Sequence, residues 1–164
     1  YARDAYGIKR VAVMDFDVHH GNGTQDLFYN DPDLFYCSTH QWPLYPGTGA
    51  PDERGCANNI LNVGLTAGAG TAEMKEAFEQ SVLPGIAAFK PELLIISAGF
   101  DAHRNDPLAG LSFVESDFVW MTEQLLGLAG EVCDNRVVSV LEGGYDLPSL
   151  AGCVAAHVRT LMTS

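Results

Sequence analysis

Apolar residues in this chain gather into short runs separated by longer mixed stretches. The runs Val11–Met14, Leu34–Ser38, Ile60–Val63, Leu93–Ser97 and Val137–Leu141 have the length and the aliphatic bias of strands. Between them, Thr24–Tyr29, Thr71–Phe89, Glu115–Glu131 and Pro148–Met162 place apolar residues at helical spacing. In Thr71–Phe89 the stripe is Met74, Ala77, Phe78, Val82 and Ile86, with Thr71 predicted as N-cap, although no full capping box follows it. Ser116 is predicted to open the next helix, and Pro84 to bend or interrupt the preceding one. Strands alternating with helices predict a mostly parallel sheet covered on both faces. Leu93–Ser97 and Val137–Leu141 read as buried strands of that sheet. No repeat, low-complexity segment or linker divides residues 1–164, and Tyr45–Pro51 reads as a surface loop.

The first run ends in a sharp change of chemistry, Asp15-Phe16-Asp17-Val18-His19-His20-Gly21-Asn22-Gly23. If the strand geometry persists, Asp15, Asp17 and His19 share one face, because side chains alternate with period 2. Charges just beyond a buried strand are costly unless they bind something, and a divalent metal suits two carboxylates and an imidazole. Open α/β sheets bind ligands outside the carboxyl ends of their strands. The fourth run leads into Ala98-Gly99-Phe100-Asp101-Ala102-His103, and the fifth into Glu142-Gly143-Gly144-Tyr145-Asp146. Three strands therefore deliver polar groups to one edge.

Composition narrows the classes. The chain has 164 residues, 47% hydrophobic and 18% charged, enough for one buried core. Its apolar runs are too short to span a bilayer, and its first residues lack the apolar segment of a signal peptide. A net charge of −12 argues against nonspecific nucleic-acid binding. It suits a cationic substrate through steering, and equally suits solubility alone. Cys37, Cys56, Cys133 and Cys153 are widely spaced without a CxxC pair, so buried free thiols in a reducing compartment are expected.

Four motifs in order, Asp15–Gln25, Leu44-Tyr45-Pro46-Gly47-Thr48-Gly49, Ser97–His103 and Leu141-Glu142-Gly143-Gly144-Tyr145, resemble the histone deacetylase superfamily. The branch is the class II and bacterial one, with acetylpolyamine amidohydrolases as relatives. The resemblance runs along essentially the whole chain. It implies the arginase/deacetylase α/β fold, a mostly parallel sheet flanked by helices, with residues 1–164 as the C-terminal portion of one catalytic domain, incomplete on its N-terminal side. It implies a catalytic Zn²⁺ on Asp17, His19 and Asp101, and Tyr145 as the hydroxyl that stabilises the oxyanion. Gly143 and Gly144 are expected to give Tyr145 room to swing. A structural K⁺ is implied beside the zinc, on the side chains of Asp15 and Ser38 and the carbonyls of Asp17, His19 and Thr39. A second monovalent site is implied at the carbonyls of Phe28, Asp31 and Leu34. Tyr45 is expected to border the substrate tunnel. Leu108 stands where polyamine-specialised class II relatives carry a selective glutamate, which favours acyl-lysine.

The implied reaction is hydrolysis of N-acetyl-lysine in a histone or other protein to lysine and acetate, in the cytoplasm or a eukaryotic nucleus. The alternatives are an acetylpolyamine amidohydrolase and a truncated noncatalytic fragment. The family's adjacent histidine pair, its general base, lies upstream of the zinc motif and has no counterpart here. An oligomer or a complementing chain is one way to complete the site. His19-His20 does not substitute, since His19 belongs to the metal and His20 points the other way, beneath the site. His40 is open between a rim role and loop packing. His103 as a ligand requires a second metal, as in the ureohydrolases that share this fold. His157 is expected to be a plain helix residue. Glu142 and Asp146 are expected to be solvated, and Trp42 is open between packing and the substrate mouth.

Overall fold

The computed structural model describes residues 1–163. Five parallel strands form one sheet: β1 (Val11–Asp15), β2 (Leu34–Gln41), β3 (Ile60–Leu65), β4 (Leu93–Ala98) and β5 (Val137–Leu141), in the order β3-β2-β1-β4-β5. Helices α1 (Ala2–Tyr6), α2 (Asn22–Phe28), α3 (Thr71–Ala77), α4 (Leu83–Phe89), α5 (Glu115–Val132) and α6 (Leu147–Thr163) fill the connections. Chain order reverses between β1 and β4. That is a topological switch point, where a crevice opens at the carboxyl ends of the strands.

The expected strands all form, and β2 and β3 run further than their apolar cores because parallel neighbours extend the ladder to Gln41 and Leu65. One face of the sheet packs Ala12, Met14, Cys37, Leu94 and Ile96 against α3 through α6. The other face is thinner: Val13, Tyr36 and Ile60 pack with Phe28, Tyr29 and Ile95. The expectation that β5 is buried fails. Ser139 faces α6, but Val138 and Val140 are 49% and 47% exposed on the opposite face.

The Thr71–Phe89 stripe is buried throughout, yet the helix is not continuous. A π-helical turn, Phe78–Val82, separates α3 from α4. Phe78, Val82 and Ile86 repeat every four residues, and each such step overshoots an α-helical turn by about 40°. A wider turn keeps the stripe on the core. Pro84 sits in the first turn of α4, where a missing N–H costs little. The caps differ from expectation by a residue or two. Gly70 precedes α3, its N–H donating to Glu73 Oε2 at 2.9 Å, while Thr71 Oγ1 donates to Asp117. Val114 precedes α5 and donates its N–H to Asp117 Oδ2 at 2.9 Å, so Asp117 rather than Ser116 secures that end.

His157 is not a plain helix residue. It is buried between α5 and β5, with Thr122 Oγ1 2.7 Å from Nδ1 and Ser139 Oγ 2.8 Å from Nε2, edge-on to Phe16 and Phe100. Cys37, Cys133 and Cys153 are buried free thiols, and Cys56 is exposed. No described helix is long and apolar enough to cross a membrane.

Candidate metal centre

β1 ends at Asp15, and the chain then bends over Asp17–His19, each bend held by an aspartate accepting the N–H two residues on. Phe16 and Val18 are buried in the core while Asp17 and His19 reach the crevice, an arrangement made by turns and not by the continued strand alternation expected. Asp17 and His19 meet Asp101, which follows β4. The three offer one ligand atom each within 4.8 Å of one another. His19 Nδ1 lies 3.2 Å from Asp17 Oδ1 and 3.0 Å from Asp101 Oδ2. Ligand atoms around a tetrahedral zinc, with bonds of about 2.0–2.2 Å, stand about 3.4 Å apart. The donor set and its spacing therefore fit such an ion.

The backbone is laced around these carboxylates. Val18 N–H donates to Asp101 Oδ1 at 2.8 Å, His19 N–H to Asp17 Oδ1 at 2.8 Å, and Gly143 N–H to Asp17 Oδ2 at 2.7 Å. Phe100 N–H donates to Gly143 O at 2.8 Å, which ties the β4 loop to the β5 loop. The glycines act through their missing Cβ. A Cβ on Gly143 would lie 2.1 Å from Asp101 Oδ2, and one on Gly99 2.2 Å from Asp17 Oδ2. Gly144 has φ +148° and would press a Cβ to 2.6 Å from Leu150. The expectation that Gly143 and Gly144 exist to let Tyr145 swing is therefore replaced: they allow close approach, and Tyr145 N–H is itself held by Asp106 Oδ2 at 2.8 Å. Asp106, which also accepts Leu108 N–H at 3.0 Å, is a positioning residue that sequence reasoning passed over. Its signal was the turn-forming Asp-Pro pair.

Electrostatically the centre is strained without a cation. Burial and the neighbouring Asp17 raise the Asp101 pKa to about 7. Burial and Asp17 likewise raise Asp15 well above the carboxylate range. Among the described residues no lysine or arginine pairs with these acids; the ion pairs are those of His19 itself. Tyr145, half exposed, has its pKa raised by partial burial and by Asp101 and Asp17, so its hydroxyl keeps its proton and can donate.

A cavity of about 610 Å³ opens over the centre, lined among others by Asp17, His19, Tyr45, Leu108, Gly143 and Tyr145. Tyr45 is 78% exposed, with its ring edge-on to His19 at 6.2 Å between centroids. Glu142 lines the same cavity, while Asp146 turns away to accept Ser149 N–H at the start of α6. Trp42, half-buried, stands edge-on to His40.

His20 is buried, with Nδ1 2.8 Å from Thr48 Oγ1 and Nε2 2.9 Å from Gln25 Oε1, and it lines the same cavity as His19, so the expectation that it points the other way along an extended segment does not hold. His40 belongs to β2, not to a loop. The Gly49 carbonyl can only accept, so His40 Nε2 carries the proton at 3.0 Å, and bare Nδ1 accepts from Ser38 Oγ at 2.9 Å. Asp15 accepts Asp17 N–H at 3.0 Å and Tyr36 O–H at 2.9 Å. Thr39 follows Ser38 in β2, its hydroxyl buried without a hydrogen-bond partner. The carbonyls of Phe28, Asp31 and Leu34 do converge, on the Asn59 amide nitrogen. His103 is buried beside Glu115, 3.6 Å from its carboxylate, and is not part of the ligand cluster.

Fold and site together define a parallel α/β protein with a buried acid–imidazole cluster, able to hold a metal ion, at its switch point. The histone deacetylase domain model matches residues 1–161, and the chain belongs to that family. It is 46% identical to histone deacetylase 10, chloroplastic, of Oryza sativa subsp. japonica over 99% of this chain and 37% of the relative. It is equally similar, at 46%, to an uncharacterized Synechocystis protein over 99% of this chain and 52% of that one. Among solved structures, the histone deacetylase Clr3 superposes with a TM-score of 0.91 at 34% identity, covering 98% of this chain and 28% of that one. The HDA15 HD domain does so with 0.86 at 38%, covering 96% and 45%. The chain thus spans 37% and 52% of the length of these two relatives, and less of others such as the type-2 histone deacetylase 2 of Dictyostelium discoideum, at 10%. The fold expectation, a mostly parallel sheet flanked by helices, holds.

Proposed function

We propose that this chain carries the metal-binding half of a zinc-dependent deacetylase that hydrolyses N-acetyl-lysine in a protein or peptide. The observation that carries this reading is the convergence of Asp17, His19 and Asp101 at the floor of a cavity with Tyr145 on its wall. A zinc ion held there would polarise an acyl carbonyl and lower the pKa of water. The chain's own residues supply the remainder. Tyr145 donates its retained proton to the developing oxyanion. Gly143 N–H holds Asp17, and Val18 N–H holds Asp101, so both carboxylates keep their place while the charge on the substrate changes. Tyr45 and Leu108 give the cavity an apolar mouth suited to an aliphatic lysine stem. Leu108 in place of an acid favours that substrate over an acetylpolyamine. Asp15 and Ser38, with the carbonyls of Asp17, His19 and Thr39, would hold a structural K⁺ behind the zinc. The burial of Asp15, which raises its pKa and, among the described residues, leaves it without a fixed cation, supports that assignment. The family resemblance assigns the general base to an adjacent histidine pair, and His19-His20 does not fill that role, because His19 belongs to the ligand cluster and His20 is engaged by Thr48 and Gln25.

Calorimetric titration with Zn²⁺ tests the first step: wild type binds one ion and Asp17→Ala loses it. Equal affinity in the two proteins refutes the reading. Hydrolysis of an acetyl-lysine peptide and of acetylated diamines, with a histidine-pair segment from a relative supplied, tests the second. Faster diamine hydrolysis transfers the assignment to polyamines.

A further inference from the structure

Three backbone carbonyls, from the end of α2 and the turn into β2, point at one spot in the interior. They belong to Phe28, Asp31 and Leu34, and the resemblance sets a second monovalent cation among them. That spot is filled by a side chain. Asn59 is 2% exposed, and its Nδ2 lies 2.8 Å from Phe28 O, 3.0 Å from Asp31 O and 2.9 Å from Leu34 O. We propose that the Asn59 amide replaces the second monovalent cation, so that the Phe28, Asp31 and Leu34 carbonyls are bridged by N–H donors and hold no ion.

The orientation of the amide is fixed by its surroundings. Asn59 Oδ1 accepts Ala57 N–H at 3.2 Å and faces Cys56 Sγ at 3.9 Å. Turning the amide over would aim an oxygen at three oxygens and an NH₂ at another N–H, which leaves every group unsatisfied. The main chain gives no room to retreat. Asn59 O accepts Tyr36 N–H at 3.0 Å, and Ile60 N–H donates to Arg54 O at 3.1 Å, so the residue is locked at the head of β3.

The acceptors are also suited to a donor. Phe28 O and Asp31 O each already accept one backbone N–H, from Asp31 and Leu34 at 3.1 Å, and a carbonyl oxygen has a second lone pair. Two amide hydrogens serve three oxygens if one hydrogen is shared, a common arrangement at helix ends. An ion held by these oxygens needs the volume that Nδ2 occupies. The amide performs the cation's structural task, tying the end of α2 to the start of β3, but it does so by covalent attachment and independently of the salt in the medium. The position beside Asp15 differs: there the side-chain contacts are Tyr36 O–H to Asp15 Oδ2 at 2.9 Å and Ser38 Oγ to His40 Nδ1 at 2.9 Å.

The inference is separate from the catalytic reading, because these residues lie away from the cavity and are tested without substrate. Crystals of the chain soaked in Tl⁺ report each monovalent site by anomalous scattering. The expected result is no peak among the three carbonyls in wild type and a peak there in Asn59→Ala. A peak in wild type, with Asn59 displaced, overturns the proposal. Asn59→Asp supplies a second measurement in solution, because its carboxylate faces three carbonyl oxygens unless a cation intervenes. Its thermal midpoint should rise on replacing tetramethylammonium chloride with KCl by more than the wild-type midpoint does. No peak in Asn59→Ala, or an equal K⁺ response in Asn59→Asp and wild type, also overturns it.

Discussion

Asp101→Asn should make the metal-free protein more stable while abolishing its metal site. In the folded chain Asp101 is buried beside Asp17, and its pKa rises from 3.8 to about 7. Below pH 3.8 the group is protonated in both folded and unfolded states and carries no penalty. As pH climbs toward 7 the unfolded chain sheds its proton first, so the folded state loses relative stability across that window. At about 1.36 kcal/mol per pH unit, the full displacement is worth up to about 4 kcal/mol at pH 8. Asparagine retains an oxygen for Val18 N–H, now at 2.8 Å, and turns an NH₂ toward Asp17 and His19. Urea unfolding in EDTA, followed through Trp42 and Trp120, should show the variant gaining on wild type from pH 4 to pH 8. Zinc should reverse the order, stabilising wild type alone. A variant no more stable than wild type at pH 8 in EDTA would refute the claim that this carboxylate is held against its charge.

Two further outcomes follow from the same geometry. Gly143→Ala places a methyl 2.1 Å from Asp101 Oδ2 and 2.6 Å from Asp17 Oδ2, so Zn²⁺ affinity should fall by about 10–100-fold, as for other groups that orient ligands. Titration with unchanged far-UV circular dichroism checks it, and intact affinity would mean the β5 loop shifts freely. On β5, Val138→Thr with Val140→Thr keeps β-branching but removes the apolar exposed face, so light scattering should show less association of the isolated chain. Unchanged association would place the contact elsewhere.

Much of this was legible from alternation and periodicity. The arrival of Asp15, Asp17, His19, Asp101 and Tyr145 at one edge follows from the rule for carboxyl ends of parallel strands, although bends at Asp17–His19, and not continued strand parity, bring the first three together. What escaped were relations that need three dimensions. Gly143 looked like a hinge because glycine is flexible, whereas its use is close approach to two carboxylates more than forty positions away from each other in the chain. Asn59 carried no motif; its importance lies in three carbonyls that the family resemblance assigned to an ion. His157 looked inert on a helix, and only its pairing with Thr122 and Ser139 shows it closing α5, α6 and β5 into one unit. β5 looked buried because its residues are aliphatic, but apolar composition does not say which faces a sheet has covered.

The distribution of charge explains why the acids at the site need ions. The amino-terminal edge of the sheet is where many of the chain's cations sit, already engaged: Arg3 with Asp31, Lys9 with Asp33, Arg10 with Glu92, and Arg136 with Asp134. Each lies just before a strand or in the helix that precedes β1. At the opposite edge Asp15, Asp17 and Asp101 are buried with an imidazole and hydrogen-bond donors but without a fixed cation. Donors from Val18, His19 and Gly143 orient these carboxylates; they do not offset the burial, and behind it the repulsion from Asp17, that drive Asp101 upward. A lysine would relieve the repulsion permanently and close the coordination sphere. Leaving the charge uncompensated makes the folded chain less stable at neutral pH, and a metal ion bound there would restore that stability, so that binding and folding would form one equilibrium.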